Sequence, residues 1–312
     1  MQTLFNIINI PFGWALEFLS SLFGGNFAAA VFFFTLLINV ILIPLSIKSQ
    51  KSSVQQTRIK PKLDELKKKY GDDKQKYSEA MQKLYQEENV SMSGGCLPMV
   101  LRLVLMMSIY YLSMSPLTYL LHIDSATVTA AAEALGKNAN ARAELQIIEA
   151  VRNGTIDFPQ IASKLSAIDF NFFGIDLTQT PKFSFDIFHD AQPIWVMPII
   201  AFLAQMLTSA LSLVMQKKLN PDAPNMAGMM LTMPLLSLFI GFTLPGGVAF
   251  YWACSSLIGG LIQVGVQQFY GPQKMLSRER LKELNKECDF EENQLKKIKT
   301  NQTLLNGEAA EK

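Results

Sequence analysis

Residues 223–273 read APNMAGMMLTMPLLSLFIGFTLPGGVAFYWACSSLIGGLIQVGVQQFYGPQ, 51 positions without a Lys, Arg, Asp or Glu. About 20 apolar helical residues cross a bilayer, so this block is too long for one crossing and suits two. Leu244-Pro245-Gly246-Gly247 divides it into predicted spans at 226–243 and 248–269. Phe18–Ile47, Leu103–Leu121 and Ala191–Gln216 are equally uncharged and predict spans at 26–47, 95–121 and 193–216. Charged residues make up 17% of the 312, against roughly 25% in soluble proteins. An ordinary soluble protein is excluded. The blocks lack the ten-residue alternation of an outer-membrane barrel. The expectation is an all-α membrane protein with five transmembrane helices.

Charge sets the expected direction. Residues 48–93 carry 11 basic and 7 acidic groups, whereas 122–190 carry 5 and 9. Lys217 and Lys218 follow the third span, and nine basic residues lie beyond Gly271. Basic segments stay cytoplasmic, which predicts the N-terminus outside and the C-terminus in the cytoplasm. Residues 1–25 mix apolar residues with a Pro11-Phe12-Gly13-Trp14 break and read as a helix lying on the membrane. In 48–94, Ile59, Leu63 and Leu66 recur at helical spacing, as do Tyr77, Met81 and Leu84, with Gly71-Asp72-Asp73 between them. That pattern predicts a mobile cytoplasmic helical hairpin. Residues 122–192 form an extracytoplasmic loop with an Ala-rich, helical first half, and 217–225 a short cytoplasmic loop. The basic tail 270–312 reads as partly disordered or a frayed helix, with bases suited to a membrane surface or ribosomal RNA.

No covalent chemistry is visible. Cys96, Cys254 and Cys288 form no CxxC pair, and His122 and His189 stand at the ends of apolar blocks. No nucleotide or hydrolase fingerprint is present, so neither a cofactor, a metal nor an enzymatic role is expected. Residue chemistry concentrates inside the spans. Arg102 lies about 10 Å into the second span and Asn39 about 12 Å from the same end of the first, at 1.5 Å per residue. Thr208 reaches a similar level, Gln205 lies a turn deeper, and Gln263 faces the same half. An intramembrane Arg is costly unless it meets water, so these residues point to a wet recess. Trp252, Met106, Met107, Met229, Met230 and Met233 would add an adaptable apolar wall.

Ile43-Pro44-Leu45-Ser46-Ile47-Lys48, the basic hairpin ending Lys83-Leu84-Tyr85-Gln86-Glu87, Gly95-Cys96-Leu97-Pro98 and Leu244-Pro245-Gly246-Gly247-Val248-Ala249-Phe250-Tyr251-Trp252 occur in one order. As a set they resemble the YidC-type membrane protein insertases, over roughly residues 11–268. The resemblance implies five core helices around a hydrophilic groove open to cytoplasm and lipid. Nascent membrane proteins would enter it, with the hairpin helping to capture them. The family's groove arginine falls at Asn39 here, and Arg102 stands four residues after Pro98 instead. With few residues before the first span, the pattern looks like the Gram-positive form. Expected partners are nascent membrane proteins, the bilayer and, through tail and hairpin, the ribosome, with the Sec translocon a candidate and DNA not. The alternative is a small-solute transporter or channel using the same intramembrane polar residues.

Overall fold

The computed structural model describes residues 2–91, 97–138, 141–182, 184, 191–219 and 227–310. It is helical almost throughout and divides into two compact units, Met1–Ser49 with Ser93–Gly265, and Gln50–Met92 with Val266–Lys312. Among the described residues, two helices, Pro193–Met215 and Gly246–Tyr270, are long and apolar enough to cross a membrane, or three crossings if a bent pair at 27–56 counts as one.

In the first unit, α1 (Gln2–Leu22) runs through Pro11. The expected break does not occur, because Pro11 removes one backbone donor and the packing of the following turns holds the helix. Gly13 lies so close to Tyr119 that a Cβ would come within 1.9 Å of its carbonyl oxygen. Leu16 and Asn9 are buried, while Ile7, Trp14, Phe18 and Leu22 form an exposed apolar stripe at helical spacing. An apolar outward face suits a helix laid against lipid.

The first uncharged block is bent rather than straight. α2 (Phe27–Ile41) and α3 (Ile43–Tyr70) meet at Leu42 at 48°. Pro44 lacks an N–H and its ring crowds the carbonyl of Val40, which accounts for the bend. α3 then continues without interruption past the expected span end at residue 47.

α5 (Leu97–Met114) stops earlier than residue 121, at Ser115, and Pro116 opens a separate turn α6 (Pro116–Tyr119). The other apolar helices are α10 (Val196–Leu219), α11 (Ala227–Gly241) and α12 (Gly246–Tyr270). Gly260 approaches Thr208 so closely that a Cβ there would lie 2.3 Å from Thr208 Cγ2, so α10 and α12 pack in direct contact.

Within the expected extracytoplasmic loop, residues 123–138 and 141–182 form a packed cap, in line with its Ala-rich helical half. α7 (Ser125–Ala134), α8 (Ala141–Arg152), α9 (Pro159–Leu165) and a two-stranded hairpin, β1 (Asn171–Phe172) with β2 (Ile175–Asp176), share one core with the helix ends beneath. Ala131, Ile147, Ile161 and Phe170 are buried in it. Its backbone occupies the open donors of two helix N-termini. Phe27 N donates to Asp169 O at 3.0 Å, and Gly246 N and Gly247 N donate to Gln179 O and Leu177 O at 2.9 and 2.8 Å. Gly25, at φ +87°, passes close enough to Ala167 that a Cβ would lie 2.5 Å from its carbonyl oxygen. The ends of α2 and α12 therefore both lie at the cap.

The second unit holds the outer turns of α3, α4 (Lys74–Glu87) and α13 (Pro272–Ala310). Residues 71–73 turn the chain, and Asp73 caps α4 by accepting from Lys76 N at 3.1 Å. Gln56 Nε2 donates to Ser91 O at 3.1 Å and Lys62 pairs with Glu88, so α3 and the end of α4 lie antiparallel. Ile59 is buried, with Val54 and Val90. Leu63, Leu66, Tyr77, Met81 and Leu84 are half-buried. The tail through Ala310, expected as a partly disordered segment or a frayed helix, is one helix with exposed side chains over 284–298. Over 279–289 residues of opposite charge recur at i,i+3 spacing in the sequence, which favours helix even without a packed face.

Candidate intramembrane site

Four apolar helices line an open cavity of about 640 Å³. α5 contributes Met106, Met107 and Tyr110, and α10 contributes Gln205. α11 contributes Met233, Leu236, Ser237 and Ile240. Leu244, between α11 and α12, also lines it, and α12 supplies Val248, Tyr251, Trp252, Ser255 and Ser256. Trp252, Ser255 and Ser256 share a face because they stand at i, i+3 and i+4. The wall is apolar with a few polar groups.

Those polar groups differ in how they are satisfied. Ser237 Oγ donates to Gln205 Oε1 at 2.6 Å, which ties α11 to α10. Trp252 Nε1 is buried and finds no acceptor among the described residues. A buried indole N–H ordinarily has a partner, so this donor is available to an occupant or to water.

Of the residues predicted from sequence, the cavity brings together Gln205, Trp252, Met106, Met107 and Met233. Asn39, Thr208 and Gln263 are not part of its lining. Asn39 is half-buried, and its Nδ2 donates to Thr35 O at 2.8 Å within α2. Thr208 Oγ1 donates back to Ala204 O and Gln205 O at 3.1 and 3.0 Å, while its methyl group meets Gly260. Gln263 is half-buried on α12. Arg102 belongs to α5, but its side chain lies outside the described residues, as do those of Met229 and Met230. Ser237, Ser255 and Ser256 are additional polar lining groups that sequence reading passes over. A serine in an apolar block carries no charge signal, and only the i, i+3, i+4 relation to Trp252 marks two of them.

Outside the spans, the cap and α1 meet at a polar cluster. Trp14 stacks on His122 with ring centroids 4.6 Å apart, and His122 Nε2 lies 3.3 Å from Glu17. Lys164 Nζ donates to Leu121 O at 2.6 Å. His189 lies outside the described residues. Among the described residues, no group of three or more His, Cys, Asp or Glu side chains is gathered for a metal.

Comparison with known proteins bears on what this cavity serves. The family described as 60Kd inner membrane protein matches residues 18–274. Membrane protein insertase YidC 2 of Listeria innocua is 26% identical over 261 residues, covering 82% of this chain and 68% of that protein. Membrane protein insertase YidC of Fusobacterium nucleatum is 24% identical over 240 residues, 77% of this chain and 85% of that one. The Dechloromonas aromatica protein of the same name is 25% identical over 254 residues, and this chain spans only 34% of its length. With four-fifths of its length matched, the chain belongs to the 60Kd inner membrane protein family.

Proposed function

We propose that this chain is a membrane protein insertase of the bacterial plasma membrane, moving nascent membrane proteins from the cytoplasm into the bilayer. The observation that carries it is the Met- and aromatic-lined cavity with sparse polar groups among four apolar helices of an inner membrane protein. Methionine walls adapt to varied apolar surfaces, as a protein with many substrates needs. The relatives named above are themselves called membrane protein insertases.

In this reading α2 with the start of α3, α5, α10, α11 and α12 are five crossings, with the cap outside and the C-terminus in the cytoplasm. The eighteen residues of α5 rise about 27 Å at 1.5 Å each, close to the bilayer core. Asn39, Arg102 and Thr208 each stand twelve residues from the cap-side end of their helix, about 18 Å. Such a common level supports a polar recess beyond the cavity, toward the cytoplasm, with Gln263 deeper still. A hydrophilic substrate tail in the recess would keep its hydration, and an acidic one would be drawn to Arg102. The apolar segment behind it would follow the Met and Trp252 wall into lipid, driven by hydrophobic transfer. The hairpin, through Ile59, Leu63, Leu66, Tyr77, Met81 and Leu84, and the basic tail would hold the nascent chain or ribosome nearby, and the Sec translocon remains a candidate partner.

The test is site-specific crosslinking to a ribosome-stalled nascent membrane protein. A photoreactive residue at Met107, Met233 or Ser256 should crosslink to the nascent apolar segment, whereas one at Leu203 on the outward face of α10 should not. Equal crosslinking at all four positions, or none at the cavity positions, sinks the proposal.

A further inference from the structure

A second cavity, of about 570 Å³, lies between α2, α12 and the β1–β2 hairpin of the cap. Its walls include Ala29, Phe32 and Phe33 of α2 and Phe173 of the hairpin tip, while Asn26 and Asn171 stand at the cap end. No charged residue lines it. We infer that this slot holds an acyl chain of an outer-leaflet phospholipid, and that Phe173 is a membrane-inserted tip of the cap.

Phe173 carries the first part of the argument. It is 93% exposed and sits at φ 49°, a left-handed turn position that bulky side chains rarely adopt. Water does not favour so exposed a ring, and a hydrocarbon environment removes that cost. The turn aims at apolar surroundings.

The order of polarity along the slot carries the second part. Asn26 caps α2, and Phe33 lies seven residues further along, about 10 Å at the helical rise. Two amides at one end and about 10 Å of aromatic wall below them match an amphiphile whose headgroup region lies at the cap. The depth falls within one leaflet of a hydrocarbon core about 30 Å thick. Phe32 and Phe33 line the slot while remaining 41% and 40% exposed, and Leu37, Val40 and Ile41 continue the exposed apolar face of α2. The slot is thus continuous with the surface this helix offers to lipid. A peptide occupant would bring backbone N–H and C=O groups into a wall with only two amides to meet them, whereas an acyl chain brings none. The inference rests on α2 and α12 lying in the membrane and is independent of what the first cavity carries.

The test uses the full chain in phosphatidylethanolamine–phosphatidylglycerol vesicles containing a phospholipid with a diazirine in its acyl chain. After irradiation, mass spectrometry should find adducts at residues 28–33 and on the hairpin 171–174, as well as on Leu203 and Leu207, outward-facing positions of α10 that report simple bilayer contact. Ala29→Trp, which fills the slot, should lower hairpin adducts at least fivefold and leave those at Leu203 and Leu207 unchanged. Phe173→Ser, at an exposed tip where folding is not at stake, should lower adducts at Ala29 and Phe250 similarly. Absence of hairpin adducts in the unaltered protein while α10 is labelled would overturn the inference. Undiminished slot adducts in Phe173→Ser would do the same, because lipid would then be bulk bilayer rather than held.

Discussion

Glu144 of α8 is buried, and its carboxylate accepts from Thr118 N at 3.1 Å and Thr118 Oγ1 at 2.7 Å. Burial pushes its pKa above the ordinary glutamate value, and the Thr118 hydrogen bonds only partly offset this. The sign follows from linkage. The folded cap binds the proton more tightly than the unfolded chain, so this group's contribution is fully present below the ordinary value and is lost as pH rises through the raised one. Hydrogen exchange at Ile147 and Ile148, corrected for intrinsic rates, should show a more protected cap at pH 5 than at pH 7. Glu144→Ala should flatten that dependence and cost about 1–3 kcal/mol by leaving the Thr118 N–H without its acceptor. A second expectation at this scale concerns charge in the proposed recess. Arg102→Gln should slow insertion of acidic-tailed substrates most, and adding Asn39→Arg should recover much of the loss if the two positions share a level. Asn39→Arg alone should be neutral or harmful, since close cations repel in a partly dry site. In vitro insertion at matched protein levels distinguishes these outcomes, and normal insertion by Arg102→Gln would make Arg102 a headgroup anchor.

Among the elements, the α3–α4 hairpin has a thin core. Ile59 is buried with Val54 and Val90, but the other stripe residues are only half-covered, and exposed ion pairs such as Lys83–Glu87 at 4.0 Å add little. Ile59→Ala should therefore remove about 2–3 kcal/mol of local stability and leave α4 amides exchanging freely. Cavity crosslinks by a stalled nascent chain should weaken without disappearing in that variant. Unchanged α4 protection would show that Ile59 does not hold the hairpin together.

For the molecule as a whole, the cap and the hairpin should face opposite sides of the membrane. Single cysteines at Glu149 and Ser78, in a background lacking the native three, give a direct reading with an impermeant thiol reagent. Glu149→Cys should react in intact cells, and Ser78→Cys only after the membrane is opened. Reaction of both in intact cells would invalidate the topology.

The amino-acid sequence alone determined the class of molecule. Uncharged blocks of helical length cannot be hydrated cheaply, so their presence and order set a helical membrane protein irrespective of its packing. It also marked the turn at 71–73, since Gly and Asp there cannot continue a helix favourably. Gln205, Trp252 and three methionines of the cavity were legible because polar or adaptable residues stand out in such blocks. The tertiary structure decided what depends on neighbours distant in sequence. The cap at 122–182 is ordered because its Ala, Ile and Phe side chains bury against helix ends from other spans, and because its carbonyls take N–H donors at Phe27, Gly246 and Gly247. Neither partner is visible from the loop itself. Likewise Gly246 and Gly247 read as a divider in sequence. In the fold Gly246 is where α12 passes Ile194 so closely that a Cβ would lie 2.4 Å from its Cδ1, while Gly247 packs in ordinary contact with Phe27 and Leu177.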